Sequence, residues 1–312
     1  MLVTCYVDDG TPIRSRLGGD QCRVFDKVIE RINDNKVVTK WWHLFEYAEL
    51  LANHRQQLDC EFADMLMRWR VGRLSSSDIK FLESRVIKST KQSQLDKIAD
   101  AFINIEKGNS MILVHSNWMA DGINKRIIDQ KFGNTSQNVT DVHHHIDSGK
   151  ITKNIISRFK IGGGAKVMIN QNLKCGLKNG EVAKIIQIHA KNNIIERVDV
   201  MPTSNHILFT LHRLVKNEIV TPKKRKATLY LPFIPAYAVT YHKSQGQTLD
   251  CVVLDLKTNM DACMFFVGAS RVRRREDFYI TALAKGFSIQ INNKARNEYN
   301  RLRSTINLPP IQ

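Results

Sequence analysis

The spacing of apolar and polar positions changes along the 312-residue chain, and each change predicts an element. Phe25, Val28, Ile29 and Ile32 mark one face of a short helix. In residues 58–69, Leu58, Phe62, Met65, Leu66 and Trp69 recur at helical spacing, and Gly72 ends the run. Ser75 to Asp78 supply N-caps for a second helix with Ile79, Leu82, Val86 and Ile87 on its apolar face. Residues 88–100 are polar and read as helix or linker. Residues 111–114 form an apolar run of strand length, and Ile123, Ile127 and Ile128 share a face of a helix that Asn124 opens. Gly162-Gly163-Gly164 marks a boundary. Beyond it, residues 165–169, 182–188, 206–214 and 227–231 are short β-rich runs separated by turns, with Asn179-Gly180 as a hairpin signal. That spacing predicts a small barrel. Residues 236–239 and 251–256 are apolar runs flanking a polar cluster, residues 242–248. Both runs are apolar enough to be buried on two faces, so they predict strands of a parallel sheet joined through a polar loop. Residues 278–282 read as a closing strand, and residues 294–303 as a basic amphipathic helix.

Composition narrows the partner. The chain is 43% hydrophobic and 25% charged, which argues against wholesale disorder. A formal net charge of +17 points to a polyanion, either nucleic acid or an anionic membrane surface. No apolar run approaches the ~20 residues of a membrane span, and the sequence MLVTCYVDDG is no signal peptide. The six cysteines show no CxxC pairing, and Cys251 and Cys263 sit in apolar surroundings. They read as buried free thiols of an intracellular, reducing compartment. His143-His144-His145 has no Cys or carboxylate frame at ligand spacing, so it reads as a polar loop and no metal site is expected.

The loop after residue 239 carries two hydroxyls, an imidazole, an ammonium, two amides and a glycine, groups that suit phosphate oxygens and a nucleic-acid backbone. Its sequence, TYHKSQGQTLD followed by VVLD, resembles motif V of superfamily-one helicases, most closely the RecD/Pif type. Val267-Gly268-Ala269-Ser270-Arg271-Val272-Arg273 resembles motif VI of that family, usually V-A-x-S-R-x-R. Asn53-His54-Arg55-Gln56 resembles its motif IV, N-x-R-Q. Ser116, Asn117 and Asn124 follow its T-N-x-x-V-x-x-x-N pattern, with serine for the threonine. The run GAKVMINQNLK with GLKNGE resembles the signature of the small barrel that interrupts the second motor domain. Leu17 to Gln21 is a poor match to motif III and reads as a plain turn.

The resemblance implies an α/β fold: a RecA-like parallel-sheet domain with an inserted SH3-like β-barrel and helical flanks. Residues 41–160 and 235–285 would form the motor domain, 161–234 the barrel and 286–312 a basic tail. Residues 1–40 match poorly. Arg271 would be the arginine finger. Arg55 would reach the γ-phosphate, although on residues 53–56 alone a surface arginine explains it equally. Gln245, Gly246 and Gln56 would couple to the nucleotide. Thr240, His242, Lys243, Ser244 and Asn117 would contact DNA, although helix capping explains Asn117 as well. Residues 222–226, PKKRK, admit a basic hairpin tip, a solvated run or nuclear import. Arg274 and Arg275 have no motif role and read as solvated. ATP and Mg²⁺ are implied cofactors, yet the sequence has neither G-x-x-x-x-G-K-[ST] nor an apolar run ending in Asp-Glu. The expectation is therefore the C-terminal part of an ATP-dependent 5′–3′ DNA helicase that binds single-stranded DNA and works with a separate N-terminal half. The alternatives are a non-catalytic single-stranded nucleic-acid binder lacking the phosphate-cradling domain, and an RNA-directed relative.

Overall fold

The computed structural model describes residues 54–147, 150–221 and 224–310. The helix expected at Phe25 to Ile32, the segment Leu17 to Gln21, Asn53, Cys5 and Cys22 lie outside the described residues. The chain divides into a unit of residues 53–291 and a second made of residues 1–52 and 292–312.

The larger unit opens with α1 (Cys60–Arg70), α2 (Ser76–Ser84) and α3 (Gln94–Ile105). Asp59 caps α1 by accepting from the Phe62 amide, and Ser75 and Asp78 close a reciprocal capping box on α2. The polar stretch 88–100 thus runs into α3. β1 (Ser110–Val114) follows, then α4 (Asn117–Phe132). Chain 137–235 forms nine strands: β2 (Gln137–Asp147), β3 (Lys150–Ile161), β4 (Lys166–Ile169), β5 (Val182–Lys191), β6 (Ile194–Pro202), β7 (Phe209–His212), β8 (Leu214–Thr221), β9 (Lys224–Tyr230) and β10 (Phe233–Pro235). The chain then returns as β11 (Ala238–Thr240), β12 (Cys251–Leu254), β13 (Asn259–Asp261), α5 (Ala262–Ala269), β14 (Phe278–Ile280) and β15 (Ser288–Gln290).

The central sheet has the order β11-β1-β12-β14, with every pairing parallel. Alternation along β1 explains why it is apolar throughout. Met111 and Leu113 face one core with Phe62, Trp69 and Phe265, while Ile112 and Val114 face another with Phe102, Ile123 and Ile127. A strand covered by helices on both faces has no solvent side to make polar. The expectation of parallel-sheet strands on either side of the polar loop holds, with β1 lying between them.

Two antiparallel sheets fill the excursion between α4 and β11. One has the order β10-β4-β5-β6-β7 and the other β3-β2-β9-β8. Val139 and Ile161 of β2 and β3 share a core with Val167, Ile185 and Val198 of the five-stranded sheet. The Asn179-Gly180 pair closes a longer loop, where Gly180 has φ +88° and donates to the Ile169 carbonyl. His143-His144-His145 is not a loop: it lies within β2, paired with both β3 and β9, and His143 Nδ1 meets Thr228 Oγ1 at 2.9 Å. Long cross-strand pairing overrides the polar composition there. Pro222 and Lys223 lie outside the described residues, and the rest of that basic run begins β9. In the smaller unit, α6 (Asn293–Thr305) is capped by Asn292 and carries a Glu298–Arg301 ion pair. Among the described residues no helix is long and apolar enough to cross a membrane.

Asn124 does not open a helix. Ser116 caps α4, accepting from the Met119 amide, and Asn124 lies two turns inside, 4% exposed. Its Nδ2 donates to the Ala238 carbonyl at 2.8 Å, and its Oδ1 accepts from the Tyr237 and Ala238 amides at 3.1 and 2.8 Å. One side chain thus pins the edge strand β11 to the helix. The expectation of buried free thiols holds for Cys251 alone among the described cysteines, since Cys60 and Cys175 are exposed. Cys251 is fully buried, and burial pushes its thiol up to about 11, whereas Cys263 is exposed on α5.

At the carboxyl edge of the sheet the His115 ring packs on buried Tyr241 at 5.1 Å, and Tyr241 Oη donates to the Asp255 carbonyl at 2.9 Å. Burial, then Lys257, holds His115 below the usual imidazole value, against a hydrogen bond to the Asp255 backbone. Its Nε2 has no partner.

Two measurements check this packing. Asn124→Leu leaves three buried backbone groups unpaired and should lower stability by about 2–4 kcal/mol in urea unfolding. An unfolded His115 binds its proton near the ordinary value of 6.5, while the folded one does so only at lower pH. The unfolded state therefore holds more protons, and stability should fall as pH drops below about 6.5. His115→Asn should flatten that part of the urea-midpoint profile.

Candidate functional site

Two chemically distinct places occupy opposite edges of the parallel sheet. Thr240 ends β11 beside Val114 of β1, at the carboxyl edge. The chain then makes a tight turn over residues 241–244 and runs back to Cys251, which pairs with Ser110 at the amino edge. It crosses the length of β1, roughly 15 Å at ~3.3 Å per residue. Asp250 N donates to the Asn109 carbonyl, and Asn109 Nδ2 reaches the Thr248 carbonyl at 3.3 Å, which fixes the arrival point.

At the carboxyl edge, His242 and Lys243 are exposed, and Thr240 is half-buried. Lys243 Nζ approaches Asn117 Oδ1 at 3.5 Å, so two of the expected backbone-contacting residues stand side by side. Ser244 is a correction. Its side chain is fully buried, and Oγ donates to the Tyr241 carbonyl at 2.7 Å, so the hydroxyl closes the turn and has no surface to offer a ligand. A groove of about 850 Å³ opens between α4 and β3, and its lining includes Asn117, Lys125, Arg158, Lys160 and Lys243. It also holds Trp118, which is 76% exposed. The periodicity of α4 could have flagged this indole as apolar but off the buried Ile123–Ile127 face.

At the amino edge the arginines converge. Arg55 Nε donates to Thr248 Oγ1 at 3.2 Å and Nη1 to the Ser270 carbonyl at 2.8 Å. Buried Gln56 donates from Nε2 to the Ser270 and Val272 carbonyls. Arg271 donates from Nε to the Val267 carbonyl at 2.6 Å, from Nη1 to the Gln247 carbonyl at 3.3 Å and from Nη2 to Ser270 Oγ at 2.9 Å. Every partner is neutral. Among the described residues neither Arg55 nor Arg271 has a carboxylate partner. Burial, then Arg55, pulls Arg271 down to about 10; burial, then Arg273, lowers Arg55. A desolvated cation pair held by carbonyls and hydroxyls is an anion site, because guanidinium groups keep their charge and match phosphate oxygens.

Gln245 and Gly246 are exposed between the two places, and Gly246 has φ +80° in open space. The side chain that ties this loop down is Gln247, whose Nε2 donates to the Gly180 carbonyl at 3.0 Å and to the Lys243 carbonyl at 3.2 Å. Gly268 lets α5 close on the same loop, since a Cβ there would lie 2.7 Å from the Tyr241 ring and 2.8 Å from Leu254. Arg275 is not simply solvated: it pairs with Glu61, and its amide donates to Asp59 at 2.8 Å. Arg274 pairs with Glu276. Among the described residues no group of three His, Cys, Asp or Glu side chains converges as a metal site.

No protein-family model matches the chain. In sequence it is 29% identical over 142 residues to the ATP-dependent DNA helicase PIF1 of Danio rerio, a match covering 45% of this chain and 22% of that protein. It is 30% identical over 112 residues to the PIF1 helicase of Mus musculus, covering 35% of this chain and 17% of that one. Among solved structures it is similar to a Bacteroides Pif1 bound to ssDNA, with a TM-score of 0.64 and 18% identity over 90% of this chain and 64% of that one. It is also similar to the Pif1 helicase of Candida albicans, with a TM-score of 0.59 and 19% identity over 80% of this chain and 60% of that one. The matched stretch is about a fifth of the curated relatives' length. Sequence similarity and shared fold together relate this chain to helicases of the Pif1 type.

Proposed function

We propose that this chain is the strand-gripping, arginine-supplying second motor domain of an ATP-dependent DNA helicase of the RecD/Pif type. The observation that carries the reading is the pairing of two sites through one loop. A cationic groove lies at the carboxyl edge of the sheet, an arginine couple with no carboxylate partner among the described residues at the amino edge, and residues 241–250 run between them. Thr240, His242, Lys243 and Asn117 contact the backbone of single-stranded DNA. Residues 161–234, which carry β4 to β9, form the inserted SH3-like barrel. Translocation runs 5′ to 3′, as the resemblance implies.

Arg55 and Arg271 fit the terminal phosphate of ATP: both are desolvated, neither is neutralised, and their donors meet at Ser270. Bound there, ATP would supply the phosphoryl group whose developing charge Arg271 stabilises. Among the described residues no carboxylate pairs with the arginine couple, and the sequence has no G-x-x-x-x-G-K-[ST] cradle. In this reading the metal and the phosphate cradle would be held by the family's first motor domain, as the resemblance implies. The same absence favours a second reading, a non-catalytic single-strand binder.

The purified chain should bind a labelled dT oligomer with an affinity that falls linearly in log–log terms as KCl rises. Lys243→Ala should reduce the slope by about 0.7, one phosphate contact on a single strand. ATP turnover should stay at background. Salt-independent binding, or robust ATP hydrolysis by the pure chain, would contradict the proposal.

A further inference from the structure

Trp118 has no structural duty. It sits in the first turn of α4, whose buried residues are Ala120, Ile123, Asn124, Ile127 and Ile128. Its ring is 76% exposed, and it makes no ring contact with any described side chain. An indole left in water forfeits the burial that usually keeps tryptophan in a fold. Here it stands beside Asn117 on the wall of the cationic groove.

The groove's charges set the occupant. Among the described residues Lys125 carries no ion pair, and Lys243 has only the long contact to Asn117. Across the groove on β3, Arg158 and Lys160 form salt bridges of 3.6 Å with Asp141 and Asp129, which lie outside the lining, so both cations still face the groove. Asp121 is the acidic side chain in the lining, and Arg126 is held by Asp96. An apolar indole in a lining where cations outnumber the one acidic side chain matches a ligand that alternates flat apolar faces with phosphates, as a single-stranded nucleic acid does. An apolar peptide would leave the cations unmatched, and an acidic peptide would leave the indole uncovered.

We propose that Trp118 is a stacking platform for one base of a single strand lying in this groove, with Lys243 and the β3 cations holding the flanking phosphates. The assignment rests on the single-strand reading above and adds a base contact to it. Because a π-face is common to all bases, the contact grips without selecting sequence.

The test compares a dT oligomer with an abasic oligomer of equal phosphate count, using the wild-type chain, Trp118→Ala and Trp118→Phe at fixed salt. Trp118→Ala should weaken dT binding about tenfold and leave abasic binding unchanged, and Trp118→Phe should recover most of the loss. Circular dichroism should be unchanged, since the ring is exposed. Equal loss on both oligomers, or loss on neither, would overturn the stacking role while leaving strand binding intact. A wild-type chain that binds neither oligomer would overturn the single-strand reading, and the platform with it.

Discussion

Everything in this fold that bears on function follows from the parallel direction of β11 and β12 on either side of β1. Two parallel strands begin at the same edge, so the chain leaving β11 must travel back along the sheet before β12 can start. Most α/β connections make that return with a helix packed on one face. Here ten residues make it, and their side chains are chemically varied at both ends. Thr240, His242 and Lys243 stand at one edge, and Thr248, which holds Arg55, stands at the other. One short piece of backbone therefore touches both sites. A displacement at either end has little slack in which to be absorbed.

The packing around that loop keeps it taut. Tyr241 is buried beneath α5, and the missing Cβ of Gly268 is what allows the helix to close on it. Ser270 and Arg271 follow directly at the end of α5. The same helix that presses on Tyr241 thus delivers the arginine, and Arg271 returns a hydrogen bond to the Gln247 carbonyl. Asn124 performs the matching task on the other face, where it fastens β11 to α4 and so fixes Thr240 relative to Asn117. The desolvation of Arg55 and Arg271 costs stability that no carboxylate among the described residues offsets. A fold that tolerates such a cost at one edge has the makings of a receptor for an anion.

Much of this was legible in the sequence. Apolar runs too continuous for a solvent-facing strand announced a covered parallel sheet, and the capping residues from Ser75 announced the start of α2. Motif spacing brought Arg55 and Arg271 to one place, although 216 positions separate them. What could not be read was set by tertiary contact. The polar histidines became a strand because β3 and β9 flank them. Ser244 turned inward to close a turn. Asn124 looked like a helix start and is a strand clamp. Trp118 carried no motif, and only its exposure beside a cationic wall marks it out. The connection from one edge of the sheet to the other required the register of three strands, which no single segment encodes.

The most direct test of this account is thermodynamic coupling between the two edges. Affinity for a dT oligomer would be measured with and without inorganic tripolyphosphate at matched ionic strength, in the wild-type chain and in Gly246→Val. Valine is strained at the φ of +80° that Gly246 adopts. Linkage requires that an anion held by Arg55 and Arg271 change strand affinity by the same factor as the strand changes anion affinity. The account predicts a shift of about fivefold or more in the wild type, reduced in Gly246→Val while each ligand still binds alone. Identical strand affinity with and without the anion in the wild-type chain would contradict it.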